Sequence, residues 1–304
     1  MKSRCLSLVE YLALRVSEKI LLILPQSLRY LLGRELGRLI YFLAPSLREE
    51  TLKGLLTAYA REKSRDEINK IRKKCFTHLG AFIIEILGMA QYQNGRLSKA
   101  IRFSEKSLEI IETLHSRGRG IICLSAHYGN WELLALVIAR LDYSLNIVYR
   151  PLDNELIDRY INTLRINHPS RLIPRDKAYR KGSEVLSKNE IVALLVDQNQ
   201  SVNGVFVPFF GKLASTAKGA AILARRTHAS VMGAYIQRNP DFTHTVTFRE
   251  IEVIDTSSSQ EYIYRNTHLF TCFFENVIRE APEQWFWFHP RWKTRPVLEE
   301  FPLT

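Results

Sequence analysis

From Gly120 onward the sequence breaks into short apolar runs, each followed by a segment of helical length. That alternation constrains the fold more than any other feature. "GIICLSA" (120–126) reads as a buried strand and is followed by a helix from about Trp131 to Arg140. "LNIVYRP" (145–151), "RLIP" and "EIVALLVDQ" repeat the strand pattern, with "NELIDRYINTLRI" and "KAYRKGSEVLSKN" as the intervening helices. "GVFVPFFG" is extended, and "STAKGAAILARRT" reads as a helix capped by Ser215 or Thr216. "ASVMGAYIQR" and "THTVTFREIEV" are strands, and a long helix runs through "SQEYIYRNTHLFTCFFENVIREAP". Strands alternating with helices predict an α/β fold around a mixed, largely parallel sheet flanked by helices.

The first 118 residues read differently, as mostly helix. Segments 47–62 and 65–90 are helical, the second with Asp66 near its N-cap, and a further helix stops at Gly118. Residues 1–44 are apolar-rich but interrupted by Glu10, Arg15, Glu18, Lys19, Arg29, Arg34, Glu35 and Arg38, so no window reaches the ~20 apolar residues of a spanning helix. A signal peptide would need a cleaner apolar core. The pattern fits two amphipathic helices split near Pro25, either lying in a membrane interface or packed on the rest of the chain. The expected organisation is therefore 1–44 as membrane-associating helices and 45–304 as the main domain, helical over 45–118 and α/β over 119–304.

Lys and Arg outnumber Asp and Glu by 43 to 31, a formal charge of +12, which favours an anionic partner. Nucleic acid, an anionic membrane and an acidic carrier protein all qualify by charge. No nucleic-acid signature accompanies it, and nucleic acid is not expected. Cys5, Cys75, Cys123 and Cys272 are far apart with no C-x-x-C pair, which argues against a disulfide scaffold and a cysteine zinc site and for reduced, packed thiols. G-x-S-x-G, H-E-x-x-H and P-loop motifs are absent, and no metal is expected.

The junction after the first strand, "SAHYGNWELL", puts His127 in a loop and Glu132 in the first turn of the next helix, with Asn130 as a good cap. The pair reads either as a loop histidine beside a helix-start carboxylate, or as a general base with a carboxylate to orient it. Arg150 and Asp197 each close a strand, where ligands of open α/β sheets gather. Arg150 suits a phosphate or a surface ion pair, and Asp197 a shared site with His127 or a turn. "VFVPFF" reads as the wall of an acyl tunnel or as plain core, and "WFWFHPRWK" as an interfacial aromatic–cation patch or as packed core, with His289 structural.

"SAHYGNWELLA", "YRPLDN", "LLVDQNQSVNGVFVPFFGKLASTAKGAAILARRTHASVM" and "PEQWFWFHPRWKTRP", in this order, resemble the late acyltransferases of lipid A biosynthesis, and also the mycobacterial phosphatidylinositol mannoside acyltransferases. The resemblance runs from the N-terminal helices to about Pro296. It implies a glycerolipid acyltransferase-like fold at the cytoplasmic face of the inner membrane. It implies transfer of a fatty acyl chain from an acyl carrier protein or coenzyme A thioester to a hydroxyl of a phosphorylated glycolipid, with no other cofactor. The family's H-x-x-x-x-acid motif falls on His127 and Glu132, its strand-end acid on Asp197, and its "YRP" arginine on Arg150. Its "FFG…ST" motif falls on Phe209, Phe210, Gly211, Ser215 and Thr216, and its aromatic–basic end on Trp287, Arg291 and Trp292. The expected catalytic residues are thus His127, Glu132 and Asp197. The expected substrate contacts are Arg150, Asn130, Phe209, Phe210, Gly211, Ser215, Thr216 and Arg291. Two departures stand out: "TLKGLLTAYA" where relatives carry an Asn-Leu pair, and "DQNQSVNG" where an acid and a glycine commonly follow Asp-Gln. Alternative activities are acylation of another glycolipid or an aminolipid, thioester hydrolysis with His127 activating water, and membrane binding without catalysis.

Overall fold

The computed structural model describes residues 4–94, 97–165 and 171–296. The expected helix end at Ile166 and the last residues of the expected main domain, 297–304, lie outside the described residues. Two helices, α1 (Arg4–Ile23) and α2 (Gln26–Leu43), divide at Pro25 as the sequence predicts. Val9, Leu12, Val16, Ile20 and Ile23 recur at helical spacing along α1 and are exposed, as are Leu28, Leu31, Leu32, Leu39 and Phe42 on α2. Among the described residues no helix is long and apolar enough to cross a membrane.

α3 (Pro45–Tyr59) leads to α4 (Arg65–Leu87). Ser64, not Asp66, caps α4: its hydroxyl accepts from the Glu67 N–H, and the Glu67 carboxylate accepts from the Ser64 N–H (2.8 Å). α2 and α4 touch backbone to backbone. A Cβ at Gly80 would lie 2.0 Å from the Gly33 carbonyl oxygen, and one at Gly37 would lie 2.1 Å from that of Phe76. Only glycine permits that approach.

A short helix, α5 (Leu97–Ala100), runs into a strand that the sequence reading missed, β1 (Ile101–Phe103), before α6 (Ser107–Ser116). With three residues and "RF" between helical segments, β1 carries too little periodicity to be read alone. The α/β part follows as β2 (Ile121–Ser125), α7 (Trp131–Ala139), β3 (Leu145–Tyr149), α8 (Glu155–Arg165), β4 (Arg171–Pro174), α9 (Ala178–Leu186) and β5 (Ile191–Leu195). Then come β6 (Val205–Phe209), β7 (Lys212–Thr216), α10 (Gly219–Thr227), β8 (Ser230–Arg238), β9 (His244–Glu250) and α11 (Ser259–Glu280).

The sheet order is β1-β9-β8-β2-β5-β3-β4, parallel throughout except for the β8–β9 pair. The mixed, largely parallel α/β class is therefore observed. β2 is buried at all five residues, as a central parallel strand must be when helices cover both faces. Ile122, Leu124 and Val192 enter one core with α10 and α11, while Ile121, Cys123 and Ile191 enter the other with α6 and α7. β6 and β7 form a separate hairpin turned by Phe210 and Gly211, both at positive φ. This corrects one expectation: Ser215 and Thr216 are strand residues of β7, and α10 starts at Gly219 without a side-chain cap. The thiols are free, but Cys5 is exposed rather than packed.

Candidate active site

Three neighbouring parallel strands, β2, β5 and β3, end on the same edge of the sheet. His127 lies two residues past β2, Asp197 two past β5, and Arg150 one past β3. The sheet topology thus brings together three candidates that are up to 70 residues apart in sequence, the separation of His127 and Asp197. Asp197 accepts twice from His127, from its backbone N–H (2.9 Å) and from ring Nδ1 (2.8 Å). A carboxylate only accepts, so Nδ1 carries a proton, and in the neutral ring Nε2 keeps its lone pair. Nε2 faces the Gln198 side-chain amide at 3.3 Å.

Trp285 Nε1–H also donates to Asp197 Oδ2 (2.7 Å), so neither oxygen of this buried carboxylate lacks a donor. Burial alone would raise the Asp197 pKa. The His127 charge and the His127 and Trp285 hydrogen bonds outweigh it and hold the carboxyl below its usual range. Burial likewise opposes a charged His127, but the Asp197 charge and hydrogen bond, with the charge of Glu132 added, raise the imidazole pKa above its ordinary value.

The segment after α11 clamps this loop. Gly129 N–H donates to the Gln284 carbonyl (2.9 Å), Phe286 N–H donates to the His127 carbonyl (2.9 Å), and Tyr128 and Trp285 form an isolated bridge. Trp285, Trp287 and Trp292 are buried, so the "WFWFHPRWK" stretch is packed core rather than an interfacial patch. His289 is structural: its Nε2 accepts from the Asn199 N–H (3.0 Å), fixing the chain just past Asp197.

A cavity of ≈ 710 Å³ opens in front of His127. Its lining is apolar between α7 and the sheet, with Cys123, Leu134, Ile138, Leu145, Ile147 and Ala193, and also includes Arg150, Arg175, Lys218, Gln198 and Asn199. Glu132 lines the wall near His127. Among the described residues no group of three or more His, Cys, Asp or Glu side chains stands together as a metal site.

The remaining expected contacts lie elsewhere. Phe209 and Phe210 are buried in the core, and Ser215 and Thr216 are buried on β7; none of them lines the cavity. Gly211 is at the hairpin turn. Arg291 is 1% exposed and donates to the Ser215 carbonyl (2.6 Å) and Thr216 Oγ1, with its guanidinium over the Phe209 ring. Burial lowers its pKa to about 10. Arg291 thus ties β7 to the Phe209 ring, the Ser215 hydroxyl donates to the Ser201 carbonyl, and "VFVPFF" is core rather than tunnel wall. Asn130 is fully buried: its Oδ1 accepts from Leu133 N–H (3.0 Å), capping α7, and its Nδ2 donates to Glu85 (2.9 Å).

Sequence reasoning missed Gln198, Trp285 and Glu85. Gln198 adjoins Asp197 in "VDQ", and that adjacency was the available signal. Trp285 and Glu85 reach the site only through the tertiary fold.

The family described as bacterial lipid A biosynthesis acyltransferase matches residues 3–294 of this chain. The chain is 28% identical over 257 residues to a lipid A biosynthesis palmitoleoyltransferase of Escherichia coli (strain K12), covering 83% of this chain and 81% of the relative. It is 28% identical over 280 residues to the lipid A biosynthesis lauroyltransferase of the same organism, covering 90% and 88%. A phosphatidylinositol mannoside acyltransferase of Mycolicibacterium smegmatis is 24% identical over 196 residues, covering 62% and 63%.

Proposed function

Because this chain belongs to the bacterial lipid A biosynthesis acyltransferase family and is an acyltransferase, we propose that it moves a fatty acyl chain from an acyl carrier protein or coenzyme A thioester to a hydroxyl of a phosphorylated lipid A precursor, with His127 as general base. The observation that carries this reading is the ring of His127: Nδ1 is bonded to buried Asp197, and Nε2 is turned toward a cavity lined by apolar and cationic side chains.

In the proposed step the acceptor hydroxyl replaces the Gln198 amide at Nε2 and gives up its proton there. Its oxygen attacks the thioester carbonyl, forming the new C–O bond. The tetrahedral oxyanion then collapses, the C–S bond breaks, and the departing sulfur takes the proton from the imidazolium. Asp197 holds the ring and stabilises its positive charge, and Glu132 adds to that field. No acyl-enzyme forms. The apolar lining suits the acyl chain. Arg150, Arg175 and Lys218 suit phosphate, on the acceptor or on the donor's prosthetic arm.

The exposed apolar stripes of α1 and α2, with the chain's positive charge, support peripheral attachment to an anionic membrane, the cytoplasmic face of the inner membrane in this reading. Incubation with labelled acyl carrier thioester and lipid A precursor tests the reaction. Labelled lipid is expected, with no label on protein when acceptor is withheld. Free fatty acid as the sole product, or a stable acyl adduct in intact-protein mass spectra, would overturn direct transfer.

A further inference from the structure

One face of α4 meets the catalytic loop residue by residue. His78, Phe82 and Glu85 stand at i, i+4 and i+7, so they line one side of the helix. His78 Nε2 bonds the Gly129 carbonyl (3.3 Å). The Phe82 ring stacks on Trp131, with centroids 4.1 Å apart. Glu85 Oε2 accepts from the side-chain amide of Asn130 (2.9 Å). These partners are the second to fourth residues after His127.

Glu85 is also gripped from the other side. Arg238, at the end of β8, donates to both of its oxygens (2.6 and 2.7 Å). The Arg238 main chain exchanges hydrogen bonds with the Gln284 side chain (2.8 and 3.0 Å), and the Gln284 carbonyl accepts from Gly129 N–H (2.9 Å). The circuit returns to the loop. Glu85 is 4% exposed, and Asn130 is fully buried.

A buried ion pair is a poor way to stabilise a core, since apolar residues of similar volume do as well or better. What Glu85 supplies that an apolar residue lacks is an acceptor for the Asn130 amide, which leaves Asn130 Oδ1 free to cap α7. We infer that Glu85 is a positioning residue: through Asn130 it fixes the loop from which His127 reaches the cavity. The inference rests on His127 being the base. Nothing in the sequence marks Glu85, which reads as one more polar residue of a helix.

The test uses the full-length enzyme and three variants, Glu85→Gln, Asn130→Asp and the two combined, with His127→Ala beside them. Asn130→Asp keeps an oxygen to cap Leu133 N–H but has no amide to give Glu85. The double variant restores a donor and an acceptor with their roles exchanged. Rates are expressed per folded enzyme, so a variant that folds partially still reports. Asn130→Asp is expected to lower kcat by about 10²-fold, the cost of a small misplacement at the reacting centre. KM for the acyl carrier thioester should stay within about twofold, because neither substituted residue lines the cavity. The double variant should recover at least about a tenth of the wild-type kcat, as expected when two residues act through one contact. Wild-type kcat in Asn130→Asp, or a double variant no faster than the slower single one, would overturn the inference. Full transfer by His127→Ala would instead remove the base. An inactive His127→Ala beside a full-rate Asn130→Asp would remove only the positioning role.

Discussion

Asp197 and Glu85 are both buried carboxylates, both bonded to a nitrogen base, and both held below the usual carboxylate range. They differ in what stands opposite. Glu85 faces Arg238, whose planar fork uses both oxygens and whose side chain is 9% exposed, with the fully buried His244 Nε2 3.3 Å from Oε1. Asp197 faces His127, a ring with a second nitrogen that looks outward onto the cavity. Arginine stays charged at any working pH and has no lone pair to offer, so the first pair is closed to chemistry. Histidine passes a proton near neutrality, so the second pair is open to it. In the proposed mechanism the same burial of the same group braces a loop in one place and orients a base in the other, and the partner decides which.

Asp197→Asn should cost about 10²–10⁴-fold in kcat, the range for losing a positioned base or its orienter. The pH profile supplies the sign. With His127 as the proposed base, which must be neutral to act, its raised pKa puts the rising limb of activity above the ordinary ~6.5 of histidine. Removing the carboxylate should move that limb to lower pH while the plateau falls. A limb that stays in place would mean that Asp197 does not govern the titrating group.

Glu85→Ala attacks the brace. It leaves Arg238 buried without its partner, and a loss of about 3–5 kcal/mol is expected in denaturant unfolding. Glu85→Leu with Arg238→Met should regain most of that stability but not the transfer rate, since Asn130 still lacks its acceptor. Full rate in this stable double variant would show that the brace does nothing for the loop.

Arg150 sharpens the contrast more gently. Its guanidinium is exposed at the cavity, whereas that of Arg238 is committed to Glu85. Arg150→Lys should lose roughly tenfold in kcat/KM on an acceptor carrying the contacted phosphate, as a point charge replaces a planar fork. Equal losses on an acceptor lacking that phosphate would leave Arg150 a structural role only.

Much of this was legible in the sequence, and the reason is local. The strands β2, β3 and β5 are short apolar runs bounded by polar residues, and in a parallel sheet the residues just past such runs share one edge. Position therefore put His127, Arg150 and Asp197 on one edge, and the resemblance to the late acyltransferases singled them out there. Ser215 and Thr216 were misread because "KLAST" abuts a true helix, and a hydroxyl before a helical pattern looks like a cap. Arg291, Phe209 and Phe210 entered as expected contacts through the motifs of the resemblance, and a motif does not say whether a basic and aromatic cluster faces a ligand or closes over itself. Glu85 and Trp285 were invisible for a plainer reason: they are 112 and 88 residues from Asp197, and only long-range packing brings them to the loop.

The glycine contact between α2 and α4 has a geometric consequence. Helices ordinarily pack 8–10 Å apart, with side chains as the spacer and some give between them. Here the spacer is gone, since a single Cβ at Gly37 would already meet the Phe76 carbonyl at 2.1 Å. α4 holds the far side of the His127 loop through His78, Phe82 and Glu85, so α2 and α4 move as one plate and the loop is bolted to that plate by side chains. In the membrane-attached state proposed above, the elevation of His127 over the lipid surface is set by the thickness of this stack. An alanine at Gly37 would then act as a shim, changing the height at which the proposed base meets its acceptor.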